Sequence, residues 1–266
     1  MDMAVADYCS AASQGNTDTV VELLLIRHAE RELIERYAEF TVAGLTEDGR
    51  VQARRFGERL RESRKGHVLM RPMTSHIGRA VETGREIAKG FYPGTEQEVE
   101  VNREFFRQIS EDDRMWKCVK NVRRHVCSID FGHEDFSDSD EGRQVIDTLA
   151  EPLYAEIGNA RRVAATMRKG DKRIMIGVAH DLNIAALLYT IAPKTYRESG
   201  GITVGYLEGL EVSVCRNIGG RESVELRSGG KIIGDASLLQ VSAPIIGPKN
   251  ANYLTLWAGN PHTIHG

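Results

Sequence analysis

Two kinds of apolar pattern alternate along this chain. Short unbroken apolar runs occur at Leu23–Ile26 and within Arg173–Ala179 (RIMIGVA), the form that suits a strand buried on both faces of a parallel sheet. Elsewhere the apolar positions recur at helical spacing. Ala53, Phe56, Gly57 and Leu60 stand one turn apart behind Thr46, an N-cap residue followed by Glu47 and Asp48, which predicts a helix over Glu47–Glu62. Ala80, Thr83, Gly84 and Ile87 predict a second helix. Val145, Leu149, Leu153, Ile157, Ala160, Ala164 and Met167 predict a long third, in which Pro152 makes a kink or opens a second half. Ile184, Leu187, Leu188 and Ile191 predict a short fourth. His67–Met73 reads as a strand whose end Pro72 weakens, and Val99–Val101 as another. Ile202–Arg216 and Glu222–Arg227, separated by Gly219 and Gly220, read as an antiparallel hairpin that extends a mostly parallel sheet at one edge.

This order of elements predicts a flexible N-terminus over residues 1–19 and a single domain over 20–266. Glu32–Gly44 reads as a loop or broken helix. From about 103 to 142 the periodicity gives way to mixed charge, scattered aromatics and an acidic run, Glu134–Glu141, which reads as an inserted lid. The tail from Ala236 is apolar in patches, suited to covering the core or to a subunit contact in a homo-oligomer.

Composition narrows the partners. With 266 residues and a formal net charge of −3, the chain can bury a sizeable core but has no general basic field, so nucleic acid is not an expected partner. No apolar run approaches the roughly 18 residues of a membrane span. The first twenty residues lack a basic start and an apolar stretch, so a cytoplasmic protein is the simplest expectation, with a leaderless mature form of an exported protein as the alternative. Cys9, Cys118, Cys127 and Cys215 show no zinc-ligand spacing and read as reduced thiols, although Cys118 and Cys127 could bridge in an oxidising compartment. His262 and His265 lack acidic or cysteine partners nearby and are not read as a metal pair.

Charge is concentrated where strands are predicted to end. Arg27, His28 and Arg31 follow the first apolar run, Arg79 opens the second helix, and His180 and Asp181 follow RIMIGVA. In an open α/β sheet these ends border one crevice, and a histidine between arginines suggests an anion site. Arg50, Arg54, Arg55 and Arg59 fall off the apolar stripe of the first helix and read as a solvated face.

With these residues in place, the sequence resembles the histidine phosphatase superfamily, through LIRHAER at 25–31, LTEDGRVQA at 45–53, SHIGRAVETG at 75–84 and GVAHDLN at 177–183. The resemblance implies a three-layer α/β/α sandwich and a metal-independent phosphomonoester hydrolase without cofactor, acting on a small-molecule or protein phosphomonoester. It makes His28 the nucleophile, with Arg27, Arg31, Arg79 and His180 on the phosphate oxygens. Guanidinium groups suit this task because they donate forked hydrogen bonds to phosphate. They also disfavour imidazolium, so His28 should stay neutral, its second ring nitrogen donating to a backbone carbonyl. A proton donor is needed for the leaving alkoxide. HDLN is similar to the HDxN motif of the acid phosphatase branch and points to Asp181. The RHAE opening is closer to the mutase and small-phosphatase branch, whose acid is a glutamate matched loosely by Glu104. Asp181 is favoured on motif match. A phosphoglycerate mutase-like phosphotransferase and a non-catalytic phosphate-binding protein stay open as alternatives. His76 replaces a family proline and reads as a surface loop histidine.

Overall fold

The computed structural model describes residues 17–33, 42–106, 140–192, 204–217, 222–228 and 231–235. Most of the expected N-terminal arm, the centre of the loop at 34–41, the insertion over 107–139 with Cys118 and Cys127, the Gly219–Gly220 turn, and the tail with His262 and His265 lie outside the described residues.

The described residues build an eight-stranded sheet. β1 (Thr17–Arg27) lies in its middle, paired in parallel with β5 (Arg173–Ala179) and antiparallel with β6 (Gly209–Asn217). Beyond β5 come β3 (Met73–Thr74) and β4 (Glu100–Val101), both parallel, with β2 (Val68–Leu69) also on β5. Beyond β6 lie the antiparallel β7 (Glu222–Ser228) and β8 (Lys231–Asp235). Both faces are covered. Leu24 and Ile26 of β1 pack with Phe56 and Leu60 of α1 (Glu47–Ser63) and Ile87 of α2 (Gly78–Phe91). Leu23 and Leu25 face the other way, onto Leu153 and Ile157 of α3 (Asp140–Thr166) and Ile184 and Leu188 of α4 (Asp181–Ile191). The unbroken apolar run of β1 thus serves two cores at once. Each fully buried leucine or isoleucine there contributes about 1.5–3 kcal/mol from removal of apolar surface.

Helix α1 follows its sequence pattern closely. Thr46 accepts a hydrogen bond from the Gly49 amide, and Ala53, Phe56, Gly57 and Leu60 are buried. Arg54 and Arg55 lie on the exposed face, and two arginines of the helix also pair across to α2: Arg54 forks onto Glu86 at 2.6 and 2.9 Å and Arg50 reaches Glu82 at 3.4 Å. Burial alone would raise the Glu86 carboxyl, but hydrogen bonds from Lys89 and Arg54 outweigh it and hold the group below its ordinary value.

Several elements differ from the sequence reading. His67–Met73 is not one strand: Leu69 pairs with Ile174 and Met73 with Gly177, so one extra residue is taken up between them, around Pro72, which has no amide hydrogen for the ladder. α3 runs unbroken through Pro152 and begins at Asp140, so the end of the expected insertion is helical. α4 starts at Asp181, directly after β5. β6 starts at Gly209 rather than Ile202, because residues 204–208 turn back onto the end of β1. β8 follows a Gly-Gly pair and is too short to leave a periodic signal. No helix among the described residues is long and apolar enough to cross a membrane.

Candidate active site

Parallel pairing brings three strand ends level. Arg27 pairs with Ala179 and Thr74 with Val178, and the chain continues the ladder one step further: His28 donates its amide to Ala179 and Ser75 to Val178. The next side chains therefore converge: His28 from β1, Ser75 and then Arg79 from the β3–α2 junction, and His180 and Asp181 from the β5–α4 junction.

Arg79 is the centre of the group, 1% exposed. Its Nε donates to His28 Nε2 at 3.0 Å, and its Nη2 lies 3.5 Å from His180 Nδ1. A guanidinium can only donate, so both of those ring nitrogens carry lone pairs. The tautomers follow. His28 Nδ1–H donates to the Ala29 carbonyl at 2.7 Å, and His180 Nε2–H donates to Ser75 Oγ at 2.9 Å. The two rings meet edge to face, with centroids 5.3 Å apart.

Electrostatics agree with this pattern. Burial first, then Arg79, with smaller effects of Arg27 and Arg31, holds the His28 imidazole well below its ordinary range, against the opposing hydrogen bond to Ala29. Burial followed by His28 and Arg79 does the same to His180. Burial and the neighbouring Arg31 bring Arg79 itself down to about 10, so it remains cationic at neutral pH. The result is a buried neutral imidazole facing cationic side chains.

Arg27 completes the wall. Its Nη1 donates to the Val204 carbonyl at 2.7 Å, its Nη2 lies 3.4 Å from Asp181 Oδ2, and its Nε is buried with no hydrogen-bond partner among the described residues. The other Asp181 oxygen accepts from the Leu182 amide at 3.0 Å. Arg31 bridges to Leu45 and donates to the Glu32 carbonyl at 2.8 Å, close enough to act on His28 and Arg79. Glu104 is placed differently. It stands exposed in a 3₁₀ turn (Arg103–Phe106) after β4, its amide capped by Asn102. His76 is half-buried rather than at the surface, and its imidazole is lowered by burial and by Arg103.

Three participants escaped the sequence reading. Ser75 orients His180. Thr83 accepts from the Ala29 amide at 3.0 Å and donates to the Arg79 carbonyl at 2.7 Å, tying the β1 exit to α2. Tyr206 lies over Arg27, with 4.4 Å from guanidinium carbon to ring centroid. Ser75 and Thr83 were visible as members of SHIGRAVETG, whereas nothing in the pattern around Tyr206 sets it apart.

Comparison with known proteins adds the lineage. Residues 23–105 match the sequence model of the Histidine phosphatase superfamily (branch 1). No curated protein matches the chain at a significant level. Among solved structures, the chain is similar to a phosphoglycerate mutase from Bacillus anthracis str. Sterne, with TM-score 0.52 and 17% identity over 80% of this chain and 95% of that one. It is also similar to the native mycobacterial glucosyl-3-phosphoglycerate phosphatase, with TM-score 0.50 and 17% identity over 78% and 97% of the two chains. A protein described as mycobacterial hydrolase 2 matches with TM-score 0.50 and 18% identity over 85% and 98%. At these identities the structural likenesses speak for the fold, a sheet of mostly parallel strands flanked by helices, and the matched segment carries the first three of the four motifs, with the first two strand-end clusters. The sequence model over residues 23–105, the order of the motifs and the fold together support the histidine phosphatase superfamily.

Proposed function

We propose that the protein hydrolyses phosphomonoesters through a phosphohistidine on His28. The observation that carries this reading is the tautomer: Nδ1–H is fixed on a carbonyl and the Nε2 lone pair is held by Arg79 in a cationic pocket. The phosphoryl group binds among Arg27, Arg31, Arg79 and His180, which neutralise its equatorial oxygens. Nε2 then forms a bond to phosphorus as the ester P–O bond breaks, and the carboxylic acid gives its proton to the departing oxygen. Water next attacks phosphorus and returns a proton to that carboxylate, the N–P bond breaks, and phosphate leaves.

Asp181 is our proposed proton donor, because it adjoins His180 and sits beside Arg27, whereas the Glu104 side chain is exposed. Glu104 remains the second reading, supported by the branch 1 match that extends to residue 105. The test is phosphate release from p-nitrophenyl phosphate and from an alkyl phosphate by wild type, His28→Ala, Asp181→Asn and Glu104→Gln. We expect His28→Ala to abolish turnover of both. Loss of the true acid should cost about 10²–10⁴-fold on the alkyl ester and much less on the ester with the good leaving group. A wild type no faster than His28→Ala on either substrate would refute the hydrolase reading, and transfer of label between substrate hydroxyls would establish a mutase instead.

A further inference from the structure

The phosphate-facing groups account for only one end of a phosphomonoester. In-line transfer to His28 Nε2 sends the other end, the leaving group, away from the imidazole and toward the mouth of the pocket. Two rings stand beside His28. His180 is 3% exposed, whereas Tyr206 is 37% exposed, its centroid 5.8 Å from that of His28 and its plane tilted by 42°. Tyr206 therefore borders both the nucleophile and solvent.

Its place is fixed by backbone rather than by chance contact. The Arg27 amide donates to the Glu208 carbonyl at 2.9 Å and the Leu207 amide donates to the Arg27 carbonyl at 3.1 Å, so the loop is clamped to the residue that precedes His28. Glu208 closes the turn through the Gly205 amide at 2.8 Å. Leu207, between them, holds a φ of 61°, a conformation uncommon for a residue with a side chain and one maintained here by its surroundings. Arg27 does not depend on the ring for position, since Val204 and Asp181 already hold both of its Nη atoms.

Resting on the hydrolase reading above, we propose that Tyr206 is the specificity-determining wall of the leaving-group side, and that the preferred substrates are phosphomonoesters of aryl or similarly flat alcohols. A ring with one face over a guanidinium keeps an exposed edge for a second flat group, and such aromatic pairs discriminate beyond the area that they bury.

The test reads binding without turnover. Phenylphosphonate and methylphosphonate carry the same anionic head and differ in the group that would meet Tyr206. Calorimetric titration of wild type should give about tenfold tighter binding of phenylphosphonate, within what an aromatic contact supplies. In Tyr206→Ala the ratio should fall to about twofold with methylphosphonate affinity unchanged, and Tyr206→Leu, which keeps bulk, should lie between. A ratio unaffected by Tyr206→Ala overturns the proposal, as does parallel loss of both ligands, which would make the ring a prop for Arg27, or failure of wild type to bind either. An inert protein that keeps the Tyr206-dependent ratio fails the hydrolase reading alone. An active enzyme indifferent to Tyr206 fails this one alone.

Discussion

Arg79 donates in two directions from a single planar group, to His28 through Nε and toward His180 through Nη2. A lysine at this position would keep the positive charge but place it at one point on a flexible stem, and it could not hold two rings in register. Arg79→Lys is therefore expected to lower kcat/KM for an aryl phosphate by about 10²–10³-fold, the usual effect of losing one preorganised donor, and steady-state assays would show it. Retention of activity within a few fold would mean that charge alone suffices. The residues of this cluster that the sequence exposes, Arg27, His28, Arg79, His180 and Asp181, share one property: each ends a strand, follows directly on one or opens the helix after it. Ser75 and Thr83 were harder to read, because the partner of a hydroxyl is set by tertiary contacts. Tyr206 is not legible in the sequence, since its segment reads as the start of a strand and it is the clamp on Arg27 that sets the ring over that guanidinium.

At the scale of elements, α1 and α2 approach so closely that their glycines are part of the interface. A Cβ on Gly57 would lie 2.0 Å from the Ile87 carbonyl oxygen, and one on Gly90 would lie 2.0 Å from that of Arg54. Helix propensity and packing make opposite predictions for Gly57→Ala. Propensity favours alanine by about 1 kcal/mol, whereas the clash must separate two helices that also share the Arg54–Glu86 and Arg50–Glu82 ion pairs. We expect packing to win, with a net loss of about 1–3 kcal/mol in urea denaturation. A stabilised variant would show that the helices slide apart at little cost. The stripe that buries α1 was legible because it obeys a 3.6-residue period. The ion pairs across to α2 were not, since side chains on separate helices leave no mark in either pattern. Pro152 inside α3 and the broken strand at Pro72 show the same limit from the other side, with proline weakening an element locally while the fold decides whether to break it.

The whole molecule carries the histidines as a liability toward acid. His28 and His180 are both lowered in the folded state, so their neutral forms cost nothing above the unfolded value near 6.5. As pH falls below that value, the unfolded chain takes up protons that the folded protein refuses, and stability declines by up to about 1.4 kcal/mol per pH unit for each group. Asp147 acts in the opposite sense, because burial and Glu151 raise it to about 6 and it accepts a proton more readily when folded. Melting temperatures between pH 7.5 and 5 should fall in wild type and fall less steeply in His28→Gln. Equal slopes would mean that His28 is not the group responsible.

The central position of β1 has a consequence in time as well as in space. Arg27 is seated against Ala179 on one side, and Ile26 against Gly209 on the other, so the strand that presents His28 finds both neighbours more than a hundred residues further along the chain. Closing such distant pairs delays their formation, and during synthesis neither neighbour exists until most of the chain has emerged. A nascent chain that has already made α1 and α2 therefore still lacks a seated His28, and the cluster of His28, Arg79 and His180 is assembled late, with the C-terminal half.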